Sequence, residues 1–199
     1  MKPMLHFAIS ALLLGCFAVA GCGSFRETFP PRSASEQLLI SEAVDAAVAD
    51  MPTDWMEGRV VYVEPANLDA YDKPYVVQRL HNAVLESGGR LSEGREGADV
   101  VLEVASGALS VDKGQWLLGI PELPLPIPLA DETLKLPEVP LFKLVSYAGK
   151  AKLISTAVEA ESGASHRELP VCYGRVRHRL WWAFIVGPFT WSDLPKRVR

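Results

Sequence analysis

Six prolines fall between Lys113 and Leu141 of this 199-residue chain, in a segment (QWLLGIPELPLPIPLADETLKLPEVPLF) otherwise rich in leucine and isoleucine. Proline lacks a backbone donor and its ring collides with the preceding turn, so no helix runs through such a segment. Within a sheet, proline is confined to edges and bulges. The Pro-rich arm, 113–141, therefore divides the body of the chain in two. It is also too apolar for a linker. It is expected either to wrap its own domain as an extended arm or to present an apolar face to a partner or a membrane.

Regular patterning lies on both sides of the arm. Ser33 with Glu36 three residues on is a capping box, followed by Leu39, Ala43, Ala46, Ala47 and Met51 at helical spacing and a stop at Pro52. RVVYVEP (59–65) is a short β-branched run and reads as a buried strand. A second helix opens at Asp72 and Pro74, turns Val77, Leu80, Val84 and Leu85 inward, and ends at Gly88-Gly89. ADVVLEVASGALSV (98–111) is the next strand, with a short strand over 90–93 between them, so this half forms a βαβ unit. Beyond the arm, Lys150–Glu161 reads as a strand and 161–164 as the turn of a hairpin, with Pro170 placing the return strand at an edge. The expected fold class is α+β, a single small domain over 34–199. It has a mixed sheet with a βαβ unit and a C-terminal hairpin, packed by two helices, with the Pro-rich extended arm.

The first 33 residues have a different character. Lys2 precedes an apolar run from Met4 to Val19, and small residues Ala20 and Gly21 follow, which is the layout of an export signal over 1–21. VAGC (19–22) resembles the lipobox of bacterial lipoproteins, and the resemblance implies a thioether-linked lipid on Cys22, which becomes the mature N-terminus with two or three acyl chains. LLGC (13–16) is a second, poorer box that would place the lipid on Cys16, with bulky Leu14 where the family has a small residue. Two or more acyl chains anchor a protein stably. Residues 22–33 (GSFRETFPPRS after the cysteine) read as a tether reaching at most about 35–40 Å. The aspartate that follows the lipidated cysteine in inner-membrane lipoproteins is replaced by Gly23, so the outer membrane, facing the periplasm, is the expected address. Cys172 would then be the one thiol of the mature chain, seated in or beside a strand.

Charge is unevenly spread. Residues 175–199 carry six basic residues (Arg175, Arg177, Arg179, Lys196, Arg197, Arg199) against Asp193, whereas 22–174 carries 13 Lys/Arg against 23 Asp/Glu. The basic tail is expected to fold back on the acidic surface of the body, or to meet a polyanion or anionic lipid. In RVRHRLWWAFIVGPFTW the apolar run, Leu180–Trp191, is twelve residues broken by Gly187-Pro188, too short to span a bilayer as a helix. Its tryptophans flanked by arginines suit either a terminal strand or an interfacial segment.

Catalytic patterns are absent from the sequence. There is no HExxH, CxxC, GxSxG or phosphate-binding glycine loop, and His81, His166 and His178 are far apart. Ser165 and His166 are neighbours on an expected turn, not a nucleophile and base brought together by a fold. No metal or cofactor is expected, and nothing suggests nucleic acid.

The order of these segments resembles a bacterial family of uncharacterised lipoproteins, classed only as a domain of unknown function. It runs from the lipobox and tether through VVYV, ADVVLEV, GIPELPLPIP, PLFK and TAVEAESG to a closing WW…GPF. In architecture the body is also similar to the lipoprotein activators of peptidoglycan synthases and to the periplasmic domain of the curli secretion channel lipoprotein. That likeness implies a non-enzymatic protein that binds another envelope protein or the cell-wall polymer. The Pro-rich stretch stands where pore-forming relatives have long membrane hairpins, which argues against a pore of that type. The expected partner surface is Trp116, Ile120, Leu123, Leu125 and Ile127 of the arm with Trp181, Trp182, Arg175, Arg177 and Arg179 of the tail. The alternatives are an envelope hydrolase using scattered acidic residues, and a membrane-active secretion or assembly subunit.

Overall fold

The structure is a computed structural model that describes residues 32–126, 133–184 and 186–195. Cys16, Cys22 and Ile127 lie outside the described residues, as do the signal and most of the tether.

Helix α1 (Ala34–Ala49) begins at Ser33, whose hydroxyl accepts from the Glu36 backbone N–H while the Glu36 carboxylate accepts from Ser33 N–H at 2.9 Å. The capping box satisfies donors that no helical carbonyl reaches. Its buried face is Leu39, Ile40, Ala43, Val44, Ala47 and Val48, so Ala46, expected inside, is exposed. Strand β1 (Val60–Glu64), helix α2 (Lys73–Glu86) and strand β2 (Arg90–Leu91) follow as the patterning predicts. In α2, Val76, Leu80, Ala83 and Val84 are buried, whereas Leu85 is exposed. Asp72 stands at the N-cap but makes no capping side-chain bond.

The largest departure from expectation concerns the proline arm. Strand β3 is Val100–Ile120 and strand β6 is Val139–Glu159, and the two pair antiparallel almost from end to end. The outer parts of the segment expected to wrap the domain are therefore continuous sheet. Short β4 (Leu123–Pro126) and β5 (Thr133–Leu136) pair with each other just past the ends of β3 and β6. The prolines bound the strands or sit where pairing is one-sided. Pro121 follows the last residue of β3. Pro140 pairs with Gly119 at the register shift of the β3–β6 ladder, two residues past Phe142, the last β6 residue opposite the next strand.

β7 (Ser165–Glu168), β8 (Cys172–Ala183) and β9 (Val186–Ser192) complete the seven-stranded mixed sheet, with β2-β1-β3-β6-β8-β9 as its path and β7 paired on β6. β1 is parallel to β2 and β3, and every other pairing is antiparallel. The tail is thus two strands of a hairpin. The α+β class is as the sequence predicts, and Ser33–Arg199 forms one unit.

The core lies between the two helices and one face of the sheet: Leu39, Met56, Leu68, Leu80, Leu102 and Leu153 are its largest fully buried side chains. Two glycines permit this contact. A Cβ on Gly149 of β6 would collide with the Leu39 carbonyl, and one on Gly174 of β8 with the Ala43 carbonyl. α1 therefore rests backbone to backbone on the sheet. The Cys172 thiol is buried among these groups beside the Pro170 carbonyl, in a strand as expected.

Candidate functional site: the open end of the sheet

β1 pairs with β3 only over Val100–Glu103, so from Val104 to Ile120 the outer edge of β3 is unpaired in the ladder. From here β3, β6, β8 and β9 run on as a four-stranded antiparallel sheet. α1 begins at this level: Ser33 and Glu36 share a surface depression with Lys113, Tyr147, His178 and Leu180. Further out the sheet has no buried residue among the described positions 116–120, 139–144, 180–183 and 186–191.

The face turned away from the helices is organised. Trp116 is directly opposite Leu144, Leu144 opposite Trp181, and Trp181 opposite Phe189, one residue from each of the four strands. Directly opposed residues of an antiparallel ladder share a face. The rings of Trp181 and Phe189 stack at 4.4 Å, and Phe142 bridges Trp116 and Trp181 at 5.7 and 6.3 Å. The row is nevertheless open to solvent: Trp116 is 56% exposed and Phe189 42%.

Behind the row, on the same face, come the cations. Arg179, Arg177 and Arg175 alternate along β8, opposite Ser146, Ala148 and Lys150 of β6. Arg179 lies over the ring of Trp191 at 5.4 Å, and Lys152 over that of Tyr173 at 5.8 Å. Lys150 pairs with Asp112, and the Arg177 backbone N–H donates to Asp193 at 3.1 Å. Arg175 thus stands opposite Lys150 while Arg177 and Arg179 border Asp193, and Lys196, Arg197 and Arg199 of the basic tail lie outside the described residues.

The expected surface residues are accordingly sorted. Trp116, Trp181, Arg175, Arg177 and Arg179 share one face. Trp182 points to the other, opposite Lys143, whose ammonium lies 5.8 Å from its ring. Ile120 and Leu123 are exposed at the extreme end. Leu125 is placed in β4 by its backbone alone. Sequence reasoning missed Phe142, Leu144 and Phe189, and noted Trp191 only as one of the arginine-flanked tryptophans of the tail. The alternation of YGRVRHRLWWA was the available signal, since it puts the three arginines and Trp181 in phase.

Among the described residues, acidic side chains pair with separate partners. Asp54 accepts from Arg167 at 2.7 Å, Glu138 from Lys143 at 2.6 Å and Glu103 from Arg95 at 3.0 Å, while Asp45 takes the Tyr75 hydroxyl at 2.9 Å. The Arg167 guanidinium holds the Asp54 carboxyl below the usual carboxylate range. Burial, together with the Asp45 carboxylate, pushes Tyr75 up to about 12. Among the described residues no three His, Cys, Asp or Glu side chains are grouped so as to hold a metal, and no helix is long and apolar enough to cross a membrane.

Residues 16–194 match a family of unknown function, DUF6655. The chain belongs to that family. No curated protein and no solved structure matches it. The match takes in every element of the DUF6655 body described above, from α1 through β9, including the open end of the sheet.

Proposed function

We propose that this protein is a lipid-anchored component of a bacterial cell envelope that acts by binding rather than catalysis, with the open end of its sheet as the binding surface. The observation that carries the reading is the apolar row of Trp116, Leu144, Trp181 and Phe189, built from four strands and left uncovered. Solvent-facing aromatics in an ordered patch cost solubility, and patches of this kind mark interaction sites. The anchor is Cys22, set in its lipobox, and its lipid holds the protein in the outer membrane facing the periplasm. The chain enters the body at Ser33, beside Lys113, Tyr147 and Leu180, at the level where the open sheet begins. A tether joined there, reaching at most about 35–40 Å, keeps that end of the body within reach of the bilayer. The partner is an envelope component, and the body is a scaffold that presents this surface to it.

Crosslinking of the protein in the intact envelope tests the reading. The expected result is an adduct, to protein, polymer or lipid, carried by peptides from 116–120, 142–144 or 181–191. Turnover of a wall fragment by the purified protein, with no adduct on those peptides, overturns it.

A further inference from the structure

Resting on that reading, we infer that the occupant of the open sheet end is an anionic lipid surface, with the aromatic row seated at the headgroup level and the arginines of β8 among the phosphates. Three observations favour lipid over a protein partner. First, apolar side chains emerge on both faces of the same end. Trp116 and Trp181 are exposed on one face and Trp182 is half-buried beside Lys143 on the other, while Ile120 and Val139 at the strand ends and Phe184 between β8 and β9 are exposed. A docked protein covers one face, whereas a solvent-like phase surrounds the whole end.

Second, the charge follows in register. Same-face rows of a strand are about 6.7 Å apart. Arg179 therefore stands one such step behind Trp181, Arg177 two, and Arg175 with Lys150 three. The polar headgroup layer is roughly 5–8 Å deep on each side of a bilayer, so in an upright sheet an aromatic row at its base holds Arg179 in the layer and leaves Arg177, about 13 Å behind, outside it, whereas a sheet lying obliquely brings both within it. Basic side chains near an anionic leaflet are attracted, and those beyond a Debye length are not.

Third, the backbone limits depth and accounts for the prolines. Unpaired N–H groups are costly in hydrocarbon, and an open sheet edge cannot enter it. The outer edge of β3 is open, so the end cannot span, and the four residues of β3 past Trp116, about 13 Å of strand, stay out of the hydrocarbon when the sheet lies obliquely on the surface. Pro121, Pro124, Pro126, Pro137 and Pro140 each remove a donor from the part of the chain that would go deepest. A second copy paired along the edges is disfavoured by the register shift at Gly107 in β3 and by Pro188 in β9.

The full-length protein, purified from its membrane, is reconstituted in vesicles of brominated phosphatidylcholine with or without about one-third phosphatidylglycerol, and tryptophan emission is read; buried Trp55 serves as the unquenched reference. Quenching is expected with brominated anionic vesicles, and at least about two-fold less without the anionic lipid. Arg175→Gln with Arg177→Gln and Arg179→Gln is expected to remove that difference, and Trp116→Phe with Trp181→Phe to remove most of the quenching. Emission unaffected by bromine in the wild type overturns the inference whatever the variants do. If emission is unaffected but a photoreactive residue at Phe189 captures a protein or a second copy in cells, lipid is the wrong occupant and the binding reading stands. If that residue captures nothing either, both fall.

Discussion

Gly174→Ala should loosen α1 from the sheet. The added methyl would overlap the Ala43 carbonyl and crowd the Ala47 N–H, and both belong to helix backbone that cannot rotate away as a side chain would. The helix must therefore rise as a body, opening gaps beneath Leu39, Ala43 and Ala47, which are all buried. Overpacking of a core costs about 1–3 kcal/mol, and an obstacle made of backbone belongs at the upper end of that range, near 3 kcal/mol. For a body of this size each kcal/mol moves Tm by roughly 2–4 °C, giving a fall of about 6–12 °C. Gly114→Ala is the matched control. Nothing lies within 4 Å of a Cβ there, so the change should be neutral or stabilising by about 0.5–1 kcal/mol, because alanine gives up less chain entropy on folding. Far-UV circular dichroism of the full chain in detergent, by heat and by urea, reads both. A Gly174→Ala protein within about 0.5 kcal/mol of wild type would refute the claim that backbone contact fixes the helix.

Other outcomes follow from the same geometry. Phenolate absorbance should show one tyrosine titrating near pH 12, absent from Tyr75→Phe. Because the folded value lies above the ordinary value of about 10, the stability Tyr75 contributes is complete below that pH and is lost as pH rises through 12. The wild-type urea midpoint should therefore fall faster than that of Tyr75→Phe between those limits. Burial, and secondarily the Asp50 charge, raise the Cys172 thiol. A disulfide reagent should thus react with the mature protein at one slow site that becomes roughly 100-fold faster in denaturant, and a second, fast thiol would show that Cys22 is unmodified. Cys22→Ser should abolish acyl incorporation, measured as the mass of the N-terminal peptide; retained acylation would move the lipid to Cys16.

Much of the body was legible because its signals are local. The Ser33–Glu36 box, the β-branched run VVYVE and the glycines after α2 each act within one element, although only alternate residues of that strand are buried. The arm was misread because proline rules depend on what lies beside a strand, and that is a property of the sheet. Pro140 falls at a register shift of the β3–β6 ladder, past the last pairing with β8 at Phe142. The surface was half legible for a related reason. Arg175, Arg177, Arg179 and Trp181 share a phase that the sequence displays, and Trp182 is out of it by one residue. That Trp116 joins them depends on a register set through Leu144, which no spacing along the chain reveals. Ala46 and Leu85 were placed inside by helical period alone, whereas the width of the buried stripe is decided by what the helix packs on.

The central claim is that the open end of the sheet, not exposed apolar surface in general, meets the envelope. A photoreactive residue placed in turn at Trp116, Phe189 and Leu85 compares two positions of that end with an equally apolar and exposed position on α2. Irradiation of cells making the full-length protein should give adducts at Trp116 and Phe189 and only background at Leu85. Equal labelling at the three positions, or labelling at Leu85 alone, would contradict the account.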